Sequence, residues 1–179
     1  MKKVSVVLSV LPLLILISFT PFAGVVGKMF PTMSGETVKD KKVNLPKDLN
    51  GKFSVLCLAY SEEAEKSLQT WMEPVFDKFV AGTELMPWDV HLYFVPMFTG
   101  SKAASAGLAK SKLLKDSDPA WHPHILIYKG ELDPVKTPLE MENKKVPYVF
   151  VLDAKGKIIY ATSGNYSEEK MDAIEDVLE

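Results

Sequence analysis

"SVLCLAYSEEAEKS", Ser54–Ser67, changes character halfway along. Together with Phe53, its first part reads "FSVLCLAY", a nearly continuous apolar run, the pattern of a strand buried on both faces in a parallel or mixed sheet. Ser61 then stands where an N-cap belongs, with Glu62 and Glu63 in the first turn, where the helix dipole favours carboxylates. Ala64, Leu68, Trp71, Met72, Val75, Phe76 and Phe79 follow at steps of three and four, which predicts a helix laying one apolar stripe on the sheet. Pro74 falls inside it and is expected to kink it.

Outward from this unit the same reading continues. "VHLYFVPMF" predicts the next strand, and Ser101 opens an alanine-rich helix to about Lys115 with Leu108, Leu113 and Leu114 toward the core, stopped by "DSDP" at Asp116–Pro119. "HILIY" reads as a short strand and "PLEMENKK" as a short helical piece. "VPYVFVLD" and "KIIYATSG" are two strands joined by the turn Ala154, Lys155, Gly156. Ser167, Glu168 and Glu169 start a last helix whose Met171, Ile174, Val177 and Leu178 share a face. Upstream, "MFPTMSGETVKDKKVNLPKDLNGK" predicts an N-terminal hairpin at a sheet edge, broken by Gly35, Asp40 and Lys41, its "VKDKKV" a solvated tip. The fold class is α/β: a layered sandwich with a mixed central sheet between helices.

The chain has 179 residues with 47% hydrophobic and 25% charged, enough for one globular domain with a full core. A formal net charge of -2 gives no basic face for phosphates, so nucleic acid is excluded as a partner class. All 21 basic residues are lysine, so functions that need a planar bidentate guanidinium are excluded as well. Lys2 and Lys3 precede an uncharged stretch that runs to Lys28. Residues 1–27 therefore read as a signal peptide or an uncleaved membrane anchor, with small residues at Val25 and Gly27 suited to cleavage before Lys28 and residues 4–26 available for membrane association. By the positive-inside rule either alternative puts the domain, residues 28–179, outside the cytoplasm: periplasmic, extracellular or anchored. A single cysteine leaves no internal disulfide.

At this point the quoted residues resemble a known pattern. "GETVKDKKVNLPKDLNGKFSVLCLAY", the proline-bearing helix and "VPYVFVLDAKGKIIYATSG" are similar to the thioredoxin fold in its redoxin or thiol-peroxidase branch. In that branch Val146-Pro147 corresponds to a cis-proline loop, and the active cysteines stand just after the first central strand, here Tyr60 to Lys66, which holds none. Thiol exchange needs a thiolate at the helix start and a resolving partner. The resemblance therefore implies the fold and not its usual activity. A looser similarity, spread over "LAYSEEAEKSLQTWMEPVFDKF", "YFVPMF", "HILIYKGE" and "GKIIYATSGNYSEEKM", is to the mitochondrial ATP-synthase assembly factors, which implies a redox-silent protein-handling role.

The candidate site follows from these alternatives. Tyr60, Ser61, Glu62 and Glu63 opposite Val146 and Pro147 form the expected binding face for a protein or extended peptide, since in the resembled family the backbone beside the proline pairs with peptide. Cys57, mid-strand, reads as core packing; the alternative is a one-cysteine redoxin-type thiol oxidoreductase or peroxidase that uses it. His122 and His124, with His91 more distant, are candidate metal ligands against a reading as polar loop residues, because Pro123 separates them and zinc wants three or four ligands. Glu62 and Glu63, adjacent on a helix, diverge by about 100° and make a poor acid and base pair. Trp88, Trp121, Met97 and Phe98 read as core or as a partner surface. No cofactor is expected, and no catalytic residue beyond the Cys57 alternative.

Overall fold

The computed structural model describes residues 22, 24–82 and 88–179. The signal or anchor reading of the apolar N-terminus falls largely outside them. Among the described residues no helix is long and apolar enough to cross a membrane.

Seven strands form one sheet in the order β2-β1-β5-β4-β3-β6-β7. They are β1 Met33–Thr37, β2 Lys42–Leu45, β3 Phe53–Ala59, β4 Val90–Thr99, β5 Leu126–Gly130, β6 Tyr148–Leu152 and β7 Ile158–Ser163. β3 pairs in parallel with β4, and β4 with β5; every other pairing is antiparallel, so the sheet is mixed as expected. The apolar run becomes β3 at the centre, with Cys57 between Phe94 of β4 and Val149 of β6. The hairpin of β1 and β2 closes one edge and β7 forms the other.

The helices are α1 Glu62–Phe76, α2 Ala106–Asp116, α3 Asp133–Lys136 and α4 Glu168–Asp176. Strand alternation divides the core. Val55, Cys57 and Ala59 pack with Leu68 and Trp71 of α1 and with Met171 and Ile174 of α4. Leu56 and Leu58 point the other way, into a layer with Leu49, Val135 of α3, and Val25 and Phe30 from the N-terminal segment. α2 adds Ala106 and Leu113 to a smaller cluster with Ile125 and Ile127. Ser61 caps α1 by accepting from the Ala64 N–H, and Ser167 caps α4 by accepting from Lys170.

Several expectations are corrected. Leu108 is 76% exposed and Leu114 46% exposed, because α2 begins with the 3-10 turns of Gly100–Ser105 and enters its regular part rotated away from a simple leucine stripe. The short helix lies at Asp133–Lys136, where Pro134 sets the first turn; "PLEMENKK" is turn and extended chain. Gly35 does not break the hairpin but sits within β1, where a Cβ would lie 2.8 Å from Leu126. At the tip Val38 is buried rather than solvated, packed with Ile125 and Ile127. α1 runs on through Pro74, which leaves the Thr70 carbonyl without its usual N–H donor, and a π-helical turn, Asp77–Ala81, follows it. The one cis peptide bond among the described residues is Leu45-Pro46, so Val146-Pro147 is trans, the isomer that an X-Pro bond prefers without an opposing constraint.

Candidate functional site

The site grows from the point where β3 ends. Tyr60 belongs to the face opposite Cys57, and its hydroxyl donates to the Met141 carbonyl at 2.7 Å. Its ring stacks on Tyr148, with centroids 6.3 Å apart and planes at 21°. The Tyr148 hydroxyl in turn accepts from the Asn143 N–H at 2.7 Å and donates to the Asn143 carbonyl at 3.0 Å. Burial, and after it the neighbouring Tyr148 and Glu142, push the Tyr60 phenol up to about 12. Both phenols are therefore neutral donors across the physiological range.

Ser61 has two partners. Its Oγ accepts from the Ala64 N–H at 3.1 Å, which caps α1, and donates to the Lys144 carbonyl. Residues 141–144 are thus tied to the start of α1 by Tyr60, Ser61 and Tyr148 together. Pro147 is buried, and its carbonyl accepts from the Gly164 N–H at 3.0 Å. The Gly164 carbonyl accepts from Trp71 Nε1 at 2.8 Å, so the proline loop is also braced against the middle of α1. Val146 is half-buried, and among the described residues neither its N–H nor its C=O has a hydrogen-bond partner.

The six residues expected to form the face are placed unequally. Tyr60, Ser61 and Pro147 are held in place, Val146 presents unpaired backbone, and Glu62 and Glu63 project into solvent. Among the described residues Glu62 pairs with Lys66 on the same helix at 3.3 Å, an exposed contact of little energetic weight. Met141, Asn143, Lys144 and Tyr148 were missed. Tyr148 was absorbed into its apolar strand, although a tyrosine directly after Val-Pro was a signal that the strand begins with a polar group in need of a partner.

Cys57 lies outside this arrangement. It is fully buried, on the α1 side of the sheet, and burial alone pushes its thiol far above the usual range. It sits three residues before Tyr60, about 10 Å along the strand. Nothing in its surroundings supplies the positive charge or helix N-terminus that activates a thiol.

The histidines do not converge. His91 Nε2 lies 3.0 Å from the Leu49 carbonyl, and His124 Nδ1 lies 3.1 Å from the Leu92 carbonyl. His122 is buried in the short 3-10 turn His122–His124 rather than a polar loop residue. Desolvation holds His124 below the usual imidazole range. Among the described residues there is no group of three or more His, Cys, Asp or Glu that could hold a metal ion. Met97 is buried; Trp88, Trp121 and Phe98 are partly buried against core clusters, so these four belong to packing.

A mixed sheet with a central β3-α1 unit, an antiparallel β6-β7 hairpin and a loop facing the α1 N-terminus defines a thioredoxin-like protein. The same fold is found in the C-terminal domain of a putative thiol-disulfide oxidoreductase from Bacteroides thetaiotaomicron, at 17% identity and a TM-score of 0.54 over 87% of this chain and 97% of that one. It is found in the exposed lipoprotein thioredoxin of Streptococcus pneumoniae, at 17% identity and 0.54 over 82% and 97%. It is also found in the reduced 2-Cys peroxiredoxin of Plasmodium vivax, at 14% identity and 0.54 over 86% and 96%. No curated protein matches the chain. The family model described as ATP10 protein matches residues 26–179, and the chain belongs to that family.

Proposed function

We propose that this protein is a binding or assembly module of the ATP10 family that works outside the cytoplasm without thiol catalysis, and that it holds a protein partner at the face built from Tyr60 to Glu63, Val146 and Pro147. The observation that carries this reading is the placement of Cys57. The chain's one thiol is sealed inside the central strand, three residues before the position at the start of α1 where the resembled oxidoreductases keep theirs. That position is taken by Tyr60 and Ser61, which spend their hydroxyls on the loop of residues 141–144.

What the face offers a partner is backbone. Among the described residues the Val146 N–H and C=O have no partner and its side chain packs on an apolar cluster, which suits an extended segment that adds to it as a strand. The exposed carboxylates of Glu62 and Glu63 would favour a segment with basic flanks, as rim charges set orientation and encounter rate.

In-cell crosslinking from a photoreactive residue at position 63 tests the proposal. Capture of a discrete protein at position 63, but not from Lys115 at the end of α2, is the expected result. Capture from position 115 alone would sink the proposed face.

A further inference from the structure

We infer that Phe22–Phe30 is an integral part of the fold, so that the chain is not cut at the Gly27-Lys28 bond and the apolar run before Phe22 is kept as a membrane anchor. The small residues at 25 and 27 make that bond the one a leader peptidase would choose from the sequence. In the fold it lies inside a ladder. The Gly27 N–H donates to the Ile158 carbonyl at 2.8 Å, and the Ile158 N–H donates to the Lys28 carbonyl at 2.9 Å, so the bond sits between two hydrogen bonds to one residue. The Phe30 N–H donates to the Gly156 carbonyl at 2.9 Å, and Met29 bridges Lys157 in antiparallel sense. The segment thereby covers the start of β7, which is otherwise an open sheet edge.

The side chains make the same point. Val25 is fully buried in the cluster that holds Leu56, Leu58 and Phe150. Phe22 stands edge-on to Tyr148 at 5.8 Å and to Phe150 at 6.4 Å. Cutting after Gly27 would leave the pocket of Val25 empty and remove the edge-on ring of Phe22 from Tyr148 and Phe150, whereas a dispensable leader contributes nothing to a core.

With Phe22 assigned to the domain, the run left for a bilayer is Val4 to Pro21. As an α-helix it would measure about 27 Å, against a hydrocarbon core of about 30 Å, within the range that spans. Two aromatic contacts, Phe22 to Tyr148 and Tyr148 to Tyr60, then connect the point where the chain enters the fold with the candidate face. Phe22 and the candidate face are thus joined through Tyr148.

This inference rests on the exported topology proposed above, and its test is independent of partner capture. The full chain is expressed in a bacterial host, membranes are washed with alkaline carbonate, and the retained protein is analysed by intact mass and N-terminal sequencing. The expected result is the full chain, or the chain lacking only Met1, in the washed membranes. A start at Lys28 or at any residue after Phe22, or release by carbonate, overturns it. In the same full chain in detergent, Val25→Ala should lower the melting temperature by about 5 °C, while Val26→Ala, at a position 44% exposed, should leave it unchanged. Equal effects at the two positions would show that the segment is not part of the core. Intact, membrane-retained protein with no capture at position 63 would leave the anchor standing and refute only the binding face.

Discussion

The most direct prediction concerns Cys57. In Cys57→Ser the sulfur is replaced by a hydroxyl in a site with no exposed surface, bounded by Val55, Ala59, Leu68 and Trp71, which offer it no acceptor. An unpaired buried hydroxyl costs roughly 1–3 kcal/mol in proteins. For a domain of this size, a central value of about 2 kcal/mol corresponds to a fall of about 6 °C in melting temperature. Reactivity should show the same burial. If a thiol reagent reaches Cys57 only when the central strand opens, and opening costs at least about 5 kcal/mol, native labelling should be slower than labelling in denaturant by on the order of 10³ or more. The pH dependence has a definite sign. A thiol raised by burial keeps its proton in the native state after the unfolded chain has begun to lose it, so its stabilising effect is full below the unfolded value of about 8.5 and declines above it. The assay is the rate of labelling by a small disulfide reagent in native buffer and in urea, alongside thermal unfolding of the wild type and Cys57→Ser. Stoichiometric labelling of the native protein within seconds, with peroxide or disulfide turnover that disappears in Cys57→Ser, would refute the reasoning and with it the non-catalytic reading.

Three further outcomes follow from the geometry. Tyr60→Phe strands the Met141 carbonyl and should cost about 1–2 kcal/mol in urea unfolding; Tyr148→Phe should cost a similar amount, and the double variant less than the sum, because the two rings hold the same loop. Gly156 has φ +86° and a Cβ there would meet Pro46 at 2.3 Å, whereas Gly51 has φ +80° with nothing within 4 Å; Gly156→Ala should therefore lose at least about 2 kcal/mol and Gly51→Ala about 1 kcal/mol, and equal losses would show that the turn does not pack on Pro46. His124 is held below the usual imidazole range by burial, so its contribution is full above the unfolded value of about 6.5 and is lost as pH falls through its lower native value; unfolding midpoints in that window should fall with acidification in the wild type and stay flatter in His124→Phe.

How much of this was legible depends on the range of the forces involved. The β3-α1 unit could be read directly because its signals are local: a run apolar on both faces, a serine cap, carboxylates in the first turn and a stripe of period 3.6. The β6-β7 hairpin was equally plain, its turn fixed by Gly156. α2 misled because alanines carry little orientation, and the rotation of the helix was set by the preceding 3-10 turns, a length that sequence does not mark. The face itself was half legible. Its location came from the position of Ser61, but the hydrogen bonds of Tyr60, Ser61 and Tyr148 to residues 141–144 join positions more than 80 apart in sequence for Tyr60 and Ser61, and no local pattern encodes them. The packing of the Phe22–Phe30 segment was not legible for a related reason. Small residues near the end of an apolar run have the spelling of a processing site, while the ladder to Ile158 that gives them a structural task is visible only in three dimensions.

The hydrogen bonds that latch residues 141–144 to Tyr60 and Ser61 suggest how the absence of a cysteine at the start of α1 and the fixed loop before β6 belong together. A catalytic thiol at a helix start must be open to its substrate and must keep the surrounding N–H groups free to stabilise the thiolate. In this protein the equivalent position is filled by a hydroxyl whose proton is directed to Lys144 and whose lone pair is given to Ala64. Such a group can neither ionise near neutral pH nor turn toward a substrate without unlatching the loop. What it provides is rigidity: the loop before β6 is held at Met141, Asn143 and Lys144, and Val146 has no backbone hydrogen-bond partner among the described residues. A partner that pairs with Val146 meets backbone already fixed on both sides and loses little of its binding free energy to ordering the loop. If that is the purpose of the latch, Ser61→Ala should weaken capture at position 63 more than it lowers stability: a fall in capture of about tenfold, with a loss of about 1 kcal/mol in urea unfolding from the missing cap, is expected. Undiminished capture in Ser61→Ala would separate the latch from binding and leave it a feature of the fold alone.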